Sequence, residues 1–355
     1  MKILHSADWH LDSPFAGHSE ENQHLLRRLL RRIPDKLADL CIREKCDLVV
    51  LCGDLFDGIP TPESLHVLRS ALRRMEVPVV IAPGNHDFCS PNSPYSTEEW
   101  PENVHIFTKP QITSLAFPEL DARIYGAGYE AMDCPGLLKD FQRSGNERWH
   151  IGALHGEISI SSPYCPMTKD QIRQSGLDYL ALGHIHKAGS LRCGKTLSAW
   201  SGCPMGRGYD ELGIKGAIIA EFSEDVRASF VALDTVRFYD EVAEVDSDPL
   251  LAVTGILPAT QSADFYRVTL TGYCSQVDLQ HIRSQFPHIP NLILRDETLP
   301  ELDLWSCIDE DSFEGVYFGI LHHSSQSDSE TICRRARLAA RISRQLLDDQ
   351  EVRLP

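Results

Sequence analysis

Short apolar runs alternate with longer segments of helical periodicity in the first half of the chain. Nearly every run ends in polar or glycine-containing residues. The strand candidates are Lys2 to His5, Asp47 to Cys52, Val77 to Ala82, Arg123 to Tyr125, His150 to Leu154 and Tyr179 to Leu182. This alternation predicts a layered α/β domain in which helices pack on a sheet.

Two segments with helical periodicity lie between the first strand candidates. Glu21 to Lys45 is interrupted at Pro34, which either kinks one helix or starts a second helix in its first turn. Thr61 followed by Pro62 is typical of an N-cap and a first helical position, and it predicts a helix that runs to about Met75.

The pattern changes after His186. Short alternating segments predict hairpins that complete a sheet, at Ala217 to Phe222, Ala228 to Leu233 and Val236 to Tyr239. The stretch from Asp246 to Gln261 is rich in Asp, Pro, Thr and Ser, which is typical of a domain boundary. We therefore expect a main domain over residues 1–245 and a smaller α/β domain over residues 246–355, with a final helix from about Glu330.

Composition and the N-terminal sequence indicate whether the protein is soluble and in which compartment it works. The 355 residues are 42% hydrophobic, and no apolar run approaches the length of a membrane span, about 18 residues. Met1 leads directly into a strand pattern without the features of a signal peptide. Eleven cysteines, an odd number without a CxxC pair, argue against a disulfide framework and a structural zinc site. These features predict a soluble cytoplasmic protein with no membrane partner.

Net charge argues against a protein that simply coats nucleic acid. The formal charge is −17, whereas affinity for phosphate backbones comes from lysine and arginine. Bound divalent cations would add local positive charge that this count omits. The arginine cluster between Arg27 and Arg32 fits the solvated face of an amphipathic helix better than a DNA contact.

Polar motifs follow the strand candidates in a fixed order. They are Asp8-Trp9-His10, Gly53-Asp54-Leu55-Phe56-Asp57, Gly84-Asn85-His86-Asp87, His155-Gly156 and Gly183-His184-Ile185-His186. Because the carboxyl ends of strands in open α/β sheets converge on a crevice, these side chains can meet at one point. Within an extended segment residues i and i+2 face the same side, as in Asp8 with His10.

The residue types in these motifs select the metal. Carboxylates, an Asn carbonyl oxygen and several imidazoles, without a thiolate, suit manganese, iron or zinc better than calcium or magnesium. The set is larger than one ion needs. A pair of ions roughly 3.5 to 4 Å apart fits it, with a bridging carboxylate and a bound water activated as the attacking hydroxide.

The order DxH, GDxxD, GNHD, strand-end HG and GHxH is similar to the pattern of the calcineurin-like metallophosphoesterase superfamily. Flanking segments narrow the resemblance to the SbcD branch of DNA-repair nucleases, and especially to its YhaO-like members. These segments are His5 to Asp12, Phe56-Asp57, Gly202 to Gly208 and Glu211 to Gly216. The resemblance covers about residues 1 to 240 and implies a sandwich of sheets flanked by helices, followed by a small cap domain.

The same resemblance implies a role for each motif residue. The ligands of the first metal would be Asp8, His10, Asp54 and His186, and those of the second would be Asp54, Asn85, His155 and His184. Asp54 would be the bridge. His86 would stabilise the phosphate or protonate the leaving oxygen, and Asp57 would orient it, since a carboxylate fixes the tautomer of a histidine.

The resemblance also implies substrate and partners. It implies exonuclease action on double-stranded DNA, endonuclease action on single strands, and dependence on manganese, with iron or zinc as alternative ions. It further implies a homodimer formed through N-terminal helices and a partner ATPase of the SMC-like SbcC type.

Ordinary explanations exist for many of these residues taken alone. Asp12, Asp57 and Asp87 could be turn or cap residues, and an isolated GD or GH dipeptide is usually a false positive. Because five such motifs occur here in order, we favour the interpretation as metal ligands over chance matches. Arg207 and Tyr209 lie in a glycine-rich loop after the last motif, where a phosphate contact and a simple turn are both consistent with the sequence.

Three functional hypotheses follow. The first is a two-metal DNA nuclease. The second is a phosphodiesterase or pyrophosphatase for a small nucleotide or lipid-linked substrate, which would use the same ligands and which the acidic charge favours. The third is a non-catalytic scaffold for a partner ATPase, against which the complete set of motif residues argues.

Overall fold

The chain is described by a computed structural model at residues 1–246, 248–274, 276–348 and 352. Two compact units are present, Met1–Phe238 and Tyr239–Pro355. The predicted boundary between residues 245 and 246 stays a prediction, and residue 247 in the predicted boundary stretch lies outside the described residues.

Strands and helices of the described residues are numbered here in chain order. The strands are β1 (Lys2–Ser6), β2 (Leu48–Leu51), β3 (Val79–Ile81), β4 (Val104–Ile106), β5 (Thr113–Phe117), β6 (Ala122–Gly126), β7 (Trp149–His155), β8 (Tyr179–Gly183), β9 (Gly189–Cys193), β10 (Thr196–Trp200), β11 (Gly216–Phe222), β12 (Val226–Ala232), β13 (Phe238–Val245), β14 (Phe265–Gly272) and β15 (Leu292–Asp296). The helices are α1 (Glu20–Leu30), α2 (Ile33–Glu44), α3 (Pro62–Arg74), α4 (Pro94–Thr97), α5 (Lys169–Ser175), α6 (Pro249–Thr254), α7 (Leu279–Ser284), α8 (Phe313–Ser324) and α9 (Glu330–Leu347).

The first unit is built on two six-stranded sheets. One has the order β12-β11-β1-β2-β3-β4, in which β1 to β4 are parallel and β11 is antiparallel to β1. The other has the order β5-β6-β7-β8-β10-β9, in which β6, β7, β8 and β10 are parallel. Parallel strands place their carboxyl ends at one edge of each sheet.

A buried core lies between the two sheets. Val50 and Val80 of the first sheet belong to the same apolar cluster as Ile151 and Ala181 of the second. On the outer face of the second sheet, Leu180 packs in a separate cluster with side chains that include those of α5. The alternation of side chains along a strand therefore buries both faces. This arrangement confirms the predicted layered α/β class.

Helix boundaries follow the local signals in the sequence. Pro34 starts a second helix, since α1 ends at Leu30 and α2 carries the proline in its first turn. The side chain of Thr61 accepts a hydrogen bond from the backbone N–H of Ser64, so the predicted N-cap of α3 is confirmed.

Several strands are not predicted by apolar runs. β4, β5 and β9 are partly or largely exposed, so they lack a continuous apolar pattern. β10 is fully buried but carries Thr196 and Ser198 among its five residues. The hydroxyl of Thr196 donates to the carbonyl oxygen of Leu177, which offsets the cost of burying it.

The second unit is a small α/β structure. Its sheet has the order β13-β14-β15, with β14 and β15 parallel. Val268, Ile282 and Ile289 are among the residues of its core, and a smaller cluster around Phe318 joins α8 to α9. Within the described residues, no helix has both the length and the apolar character needed to cross a membrane.

Candidate metal centre

The five motifs lie at the carboxyl ends of parallel strands, and backbone contacts bring their loops together. The backbone N–H of Asp8 donates to the carbonyl oxygen of Gly53 at 3.0 Å. The backbone N–H of His10 donates to the backbone carbonyl oxygen of Asp54 at 2.9 Å. A Cβ atom on Gly84 would lie 2.3 Å from Oδ1 of Asp54. Glycine is therefore needed at position 84 because the two loops approach too closely for any side chain.

Backbone strain is concentrated at this edge. Asp8, His10, Asp54 and His184 have φ angles of 56°, 48°, 52° and 88°, in the left-handed region that residues with a Cβ rarely adopt. Each such residue costs of order 1–3 kcal/mol and persists only where surrounding contacts hold it. Strain at four motif residues is typical of a functional site.

One group of donor atoms surrounds Asp8. Oδ1 of Asp8 accepts a hydrogen bond from the backbone N–H of His184 at 2.9 Å, whereas its fully buried Oδ2 has no hydrogen-bond partner among the described residues. Nε2 of His10 lies 3.2 Å from Nε2 of His186. Ligand atoms of Asp8, His10 and His186 lie within 4.8 Å of one another. An unpaired buried oxygen beside two imidazoles fits a cation.

A second group of donor atoms surrounds His155. Its Nδ1 faces the carbonyl oxygen of Cys52 at 2.8 Å and therefore carries the proton of the neutral ring. Its Nε2 lies 2.9 Å from Oδ1 of Asn85 and 3.3 Å from Oδ2 of Asp54. Three atoms with lone pairs thus converge, an arrangement that a cation between them stabilises.

The pKa values of the buried groups also favour a positive charge at this site. Burial of His155 opposes protonation, but the Asp54 carboxylate raises the pKa of the ring to about 10, so a proton supplies the charge when no metal does. Burial raises the pKa of Asp8 to about 6. Burial lowers the pKa of His10 to about 3 and that of His184 to about 4, which keeps both rings neutral and able to bind a metal.

Asp54 lies between the two groups. Its Oδ1 accepts a hydrogen bond from the N–H of His86 at 2.9 Å. Its Oδ2 lies 3.3 Å from Nε2 of His155 and 3.7 Å from Nε2 of His10, so one oxygen faces both groups. A carboxylate in this position can bridge two ions.

His86 and Asp57 form a dyad beside the first group. Nδ1 of His86 lies 2.9 Å from Oδ1 of Asp57, and the histidine side chain is 43% exposed. Its ring centroid lies 4.7 Å from that of His10. The hydrogen bond from His86 lowers the pKa of Asp57 to about 2, and the same bond raises the pKa of His86. The dyad therefore favours a protonated ring that faces solvent.

Asp87 connects two motif loops, a role that the sequence interpretation as a turn or cap residue missed. Its buried carboxylate accepts hydrogen bonds from the backbone N–H groups of Gly84, Asp54 and Leu55 at 2.8, 3.1 and 2.7 Å. The hydroxyl of Tyr95 donates to it at 2.6 Å. The sequence feature that could have indicated this role is the position of Asp87 directly after His86, in a loop that must turn back towards Asp54.

Glu211 is a second positioning residue that the sequence did not single out. Its Oε1 lies 2.6 Å from Nδ1 of His186 and 2.7 Å from Nη2 of Arg207, and the side chain is buried. A carboxylate on the outer nitrogen of a ligating histidine fixes its tautomer and orientation. Burial opposes ionisation, but the His186 and Arg207 contacts hold the pKa of Glu211 well below its usual range.

The proposed substrate contacts have partners within the protein. The guanidinium of Arg207 binds Glu211 and lies 3.4 Å from Oγ of Ser13. The ring of Tyr209 packs against Phe238, with centroids 5.3 Å apart. Contact of Arg207 or Tyr209 with substrate stays a prediction.

Other residues weighed from the sequence have structural contacts. His5 is fully buried, and its Nδ1 lies 2.8 Å from the Tyr179 hydroxyl. Asp12 accepts hydrogen bonds from Thr61 and Arg31. All eleven cysteines are free thiols in this structure.

The donor set fits the ions expected from the sequence. The two groups of donor atoms contain carboxylates and imidazoles but no thiolate, and Asn85 adds an amide oxygen to the group around His155. Such mixed oxygen and nitrogen sites suit divalent transition metals. A layered α/β sandwich with these adjoining groups at its strand ends defines a metal-dependent phosphoesterase.

Comparison with known proteins agrees with this class. Residues 1–188, just over half of the chain, match the sequence model of the calcineurin-like phosphoesterase family, and the chain belongs to that family. Its members are metal-dependent hydrolases that use two divalent ions.

Individual relatives share a modest part of the sequence. The chain is 35% identical to the uncharacterized metallophosphoesterase YhaO of Bacillus subtilis (strain 168), over 61% of this chain and 56% of that protein. It is 24% identical to the SbcD component of the nuclease SbcCD from the same organism, over 60% of this chain and 64% of that protein. The chain thus spans less than two thirds of both relatives. The corresponding SbcCD nuclease component of Staphylococcus epidermidis is 22% identical over 94% of this chain and 97% of its own length.

Proposed function

We propose that the protein is a two-metal phosphodiesterase that cleaves DNA. The observation that supports this most is the pair of donor groups that share Oδ2 of Asp54, with the exposed His86–Asp57 dyad beside them. One group would hold the first ion through Asp8, His10, Asp54 and His186. The other would hold the second through Asp54, Asn85, His155 and His184.

The reaction can be assigned to the residues of the chain. Two divalent ions, for which we propose manganese, would supply positive charge to the phosphate and acidify a water that attacks it. His86 has its Nδ1 on Asp57, so Nε2 is the atom that can donate a proton to the leaving sugar oxygen. Asp57 positions the ring through this hydrogen bond and raises its pKa, which favours the protonated form that an acid needs. Glu211 and Asp87 orient His186 and the Asp54 loop.

DNA is the proposed substrate because relatives that are named as part of a nuclease match the chain, one of them along almost its whole length. Exposure of His86 at the sheet edge is compatible with a long substrate. The net charge of −17 favours a second candidate, hydrolysis of a small nucleotide diester, which needs less neutralisation of phosphate.

Purified protein loaded with manganese tests these two candidates. We expect degradation of linear duplex DNA and of single strands, with little turnover of cyclic or linear dinucleotides at equal phosphate concentration. DNA that stays intact at high protein concentration, while dinucleotides are hydrolysed, would replace the first candidate with the second.

A histidine variant tests the proposed acid. His86→Gln should lower kcat by roughly 10²–10⁴-fold, the usual contribution of a general acid, with metal content largely retained. His24→Gln is the matched control, because His24 is 70% exposed on α1 and should leave both quantities unchanged. An unchanged kcat in His86→Gln would refute His86 as the acid, whereas a wild type that hydrolyses no phosphodiester would support the scaffold in place of an enzyme.

Partners and setting are part of the same proposal. We propose that the protein forms a homodimer, acts with an ATPase of the SbcC type and works in the cytoplasm. Co-purification with such an ATPase, and light scattering of the pure protein, test the first two. A monomer at micromolar concentration that binds no ATPase would contradict them.

A further inference from the structure

A cavity lies beside the candidate metal centre, at the lateral edge of the first unit. Its volume is about 440 Å³, within the range of small-molecule sites, and its wall includes His186, Cys203 and Ile218. His186 follows β8, Cys203 follows β10, and β11 begins nearby. The cavity, called here the side groove, is therefore at the same sheet edge as the donor groups.

Apolar side chains with large exposed surfaces line the side groove. Leu212 is 45% exposed, Ile214 is 56% exposed and Phe230 is 43% exposed. In the sheet register, Phe230 of β12 lies opposite Ile218 of β11, so the aromatic ring stands at the end of the buried face between the two sheets. These three residues offer an apolar and partly aromatic surface that a planar group can cover.

Lys215 supplies a charge in the same groove. Only 9% of this residue is exposed, yet its ammonium group makes no hydrogen bond or ion pair with any residue that the structure describes. Its Nζ is not among the fully buried atoms that lack a partner, so the stem of the side chain is buried while the ammonium reaches the surface of the groove. Lys187, directly after His186, adds an exposed cation at the same groove. The groove therefore combines a cationic wall with an apolar wall, which matches a ligand that is both anionic and planar.

We infer that the side groove binds one nucleotide of the substrate strand next to the scissile phosphate. Its backbone phosphate pairs with Lys215, and its base packs on Leu212, Ile214 and Phe230. Contact with the base is independent of its identity, because every base offers a face for stacking. This inference rests on the proposed function and extends it: the substrate is recognised by a phosphate and a base beyond the bond that is cleaved.

Two variants test the groove without touching the proposed ligands. Lys215→Met keeps the length of the side chain and removes its charge, and Phe230→Ala removes the aromatic surface. Each should weaken binding of fluorescein-labelled hexathymidylate to the manganese-loaded His86→Gln protein by about tenfold, in line with single stacking or phosphate contacts. An oligomer with abasic sites should respond to Lys215→Met but not to Phe230→Ala.

Catalysis provides the second readout. In protein with an intact His86, both variants should raise KM for hexathymidylate and leave hydrolysis of bis(p-nitrophenyl) phosphate unchanged, because that diester has no second phosphate and no base. Lys195→Met is the matched control. Lys195 lies in the turn between β9 and β10, at the opposite sheet edge, where it pairs with Asp178 on the surface.

The outcomes separate the inference from the proposed function. Cleavage of hexathymidylate with unchanged binding in both variants would overturn the groove and leave the nuclease. Binding that depends on Lys215 and Phe230 without cleavage by the wild type would keep the groove and refute the nuclease. Equal losses on both substrates would show that Lys215 acts on the fold, and absence of both binding and cleavage would overturn both ideas.

Discussion

Replacement of Asp87 by asparagine should reveal how strongly this residue holds the two motif loops together. One carboxylate oxygen accepts from Gly84 and Asp54, and the other accepts from Leu55 and Tyr95. An amide has only one acceptor oxygen, so its NH₂ group must face one of these two pairs of donors.

The loss in the free energy of unfolding is set by whichever of the two amide orientations is less destabilising. If the NH₂ group faces Leu55 and Tyr95, the tyrosine hydroxyl can rotate and accept, but the buried N–H of Leu55 loses its acceptor. An unsatisfied buried N–H costs about 1–3 kcal/mol, and the remaining bonds lose their charge assistance. Burial raises the pKa of Asp87, so removal of its charge recovers part of that loss. We expect a net loss of about 2 kcal/mol in the free energy of unfolding.

Calorimetry of chelator-treated protein measures this loss without a contribution from metal binding. A domain of this size loses about 2–4 °C in Tm per kcal/mol, so Asp87→Asn should melt about 4–8 °C lower than the wild type. Tyr95→Phe is the control, because it removes one donor and leaves every N–H paired. Metal affinity of Asp87→Asn should also fall about 10–100-fold. A melting temperature and a metal affinity that both equal those of the wild type would refute the reasoning.

Three other changes test further contacts. Burial lowers the pKa of His5 from 6.5 to about 3, so protonation favours the unfolded state and stability is lost as pH falls from 6.5 towards 3. In His5→Gln, the free energy of unfolding measured with urea between about pH 5.5 and 4.5 should fall by about 1.4 kcal/mol per pH unit less than in the wild type, and an equal dependence on pH would contradict this. Asp57→Asn removes the main cause of the raised pKa of His86, so ring resonances of metal-free protein should titrate at lower pH than in the wild type, and an unchanged midpoint would argue against the dyad. Glu211→Gln should weaken metal binding through His186 about 10–100-fold in calorimetric titration, whereas equal affinity would remove Glu211 from the site.

Local patterns were sufficient to predict the buried strands and to name candidate ligands. The apolar runs located β1, β2, β3, β7 and β8, because a fully buried strand reads as a continuous apolar segment. The strand-end motifs then indicated which polar side chains share an edge, since parallel strands place their ends together. The exposed strands β5 and β9 and the polar strand β10 have no continuous apolar segment, so the sequence did not predict them.

Only the tertiary structure decided which atoms meet. Asp8 and His184 are 176 positions apart, yet the backbone N–H of His184 donates to Oδ1 of Asp8, and Oδ2 of the same carboxylate has no partner among the described residues. Asp87 and Glu211 gain their roles in the same way, from contacts between loops that are distant in sequence. The periodicity of a sequence records which face of an element is buried, whereas the pairing of distant loops depends on how those faces pack, and no local pattern carries that information.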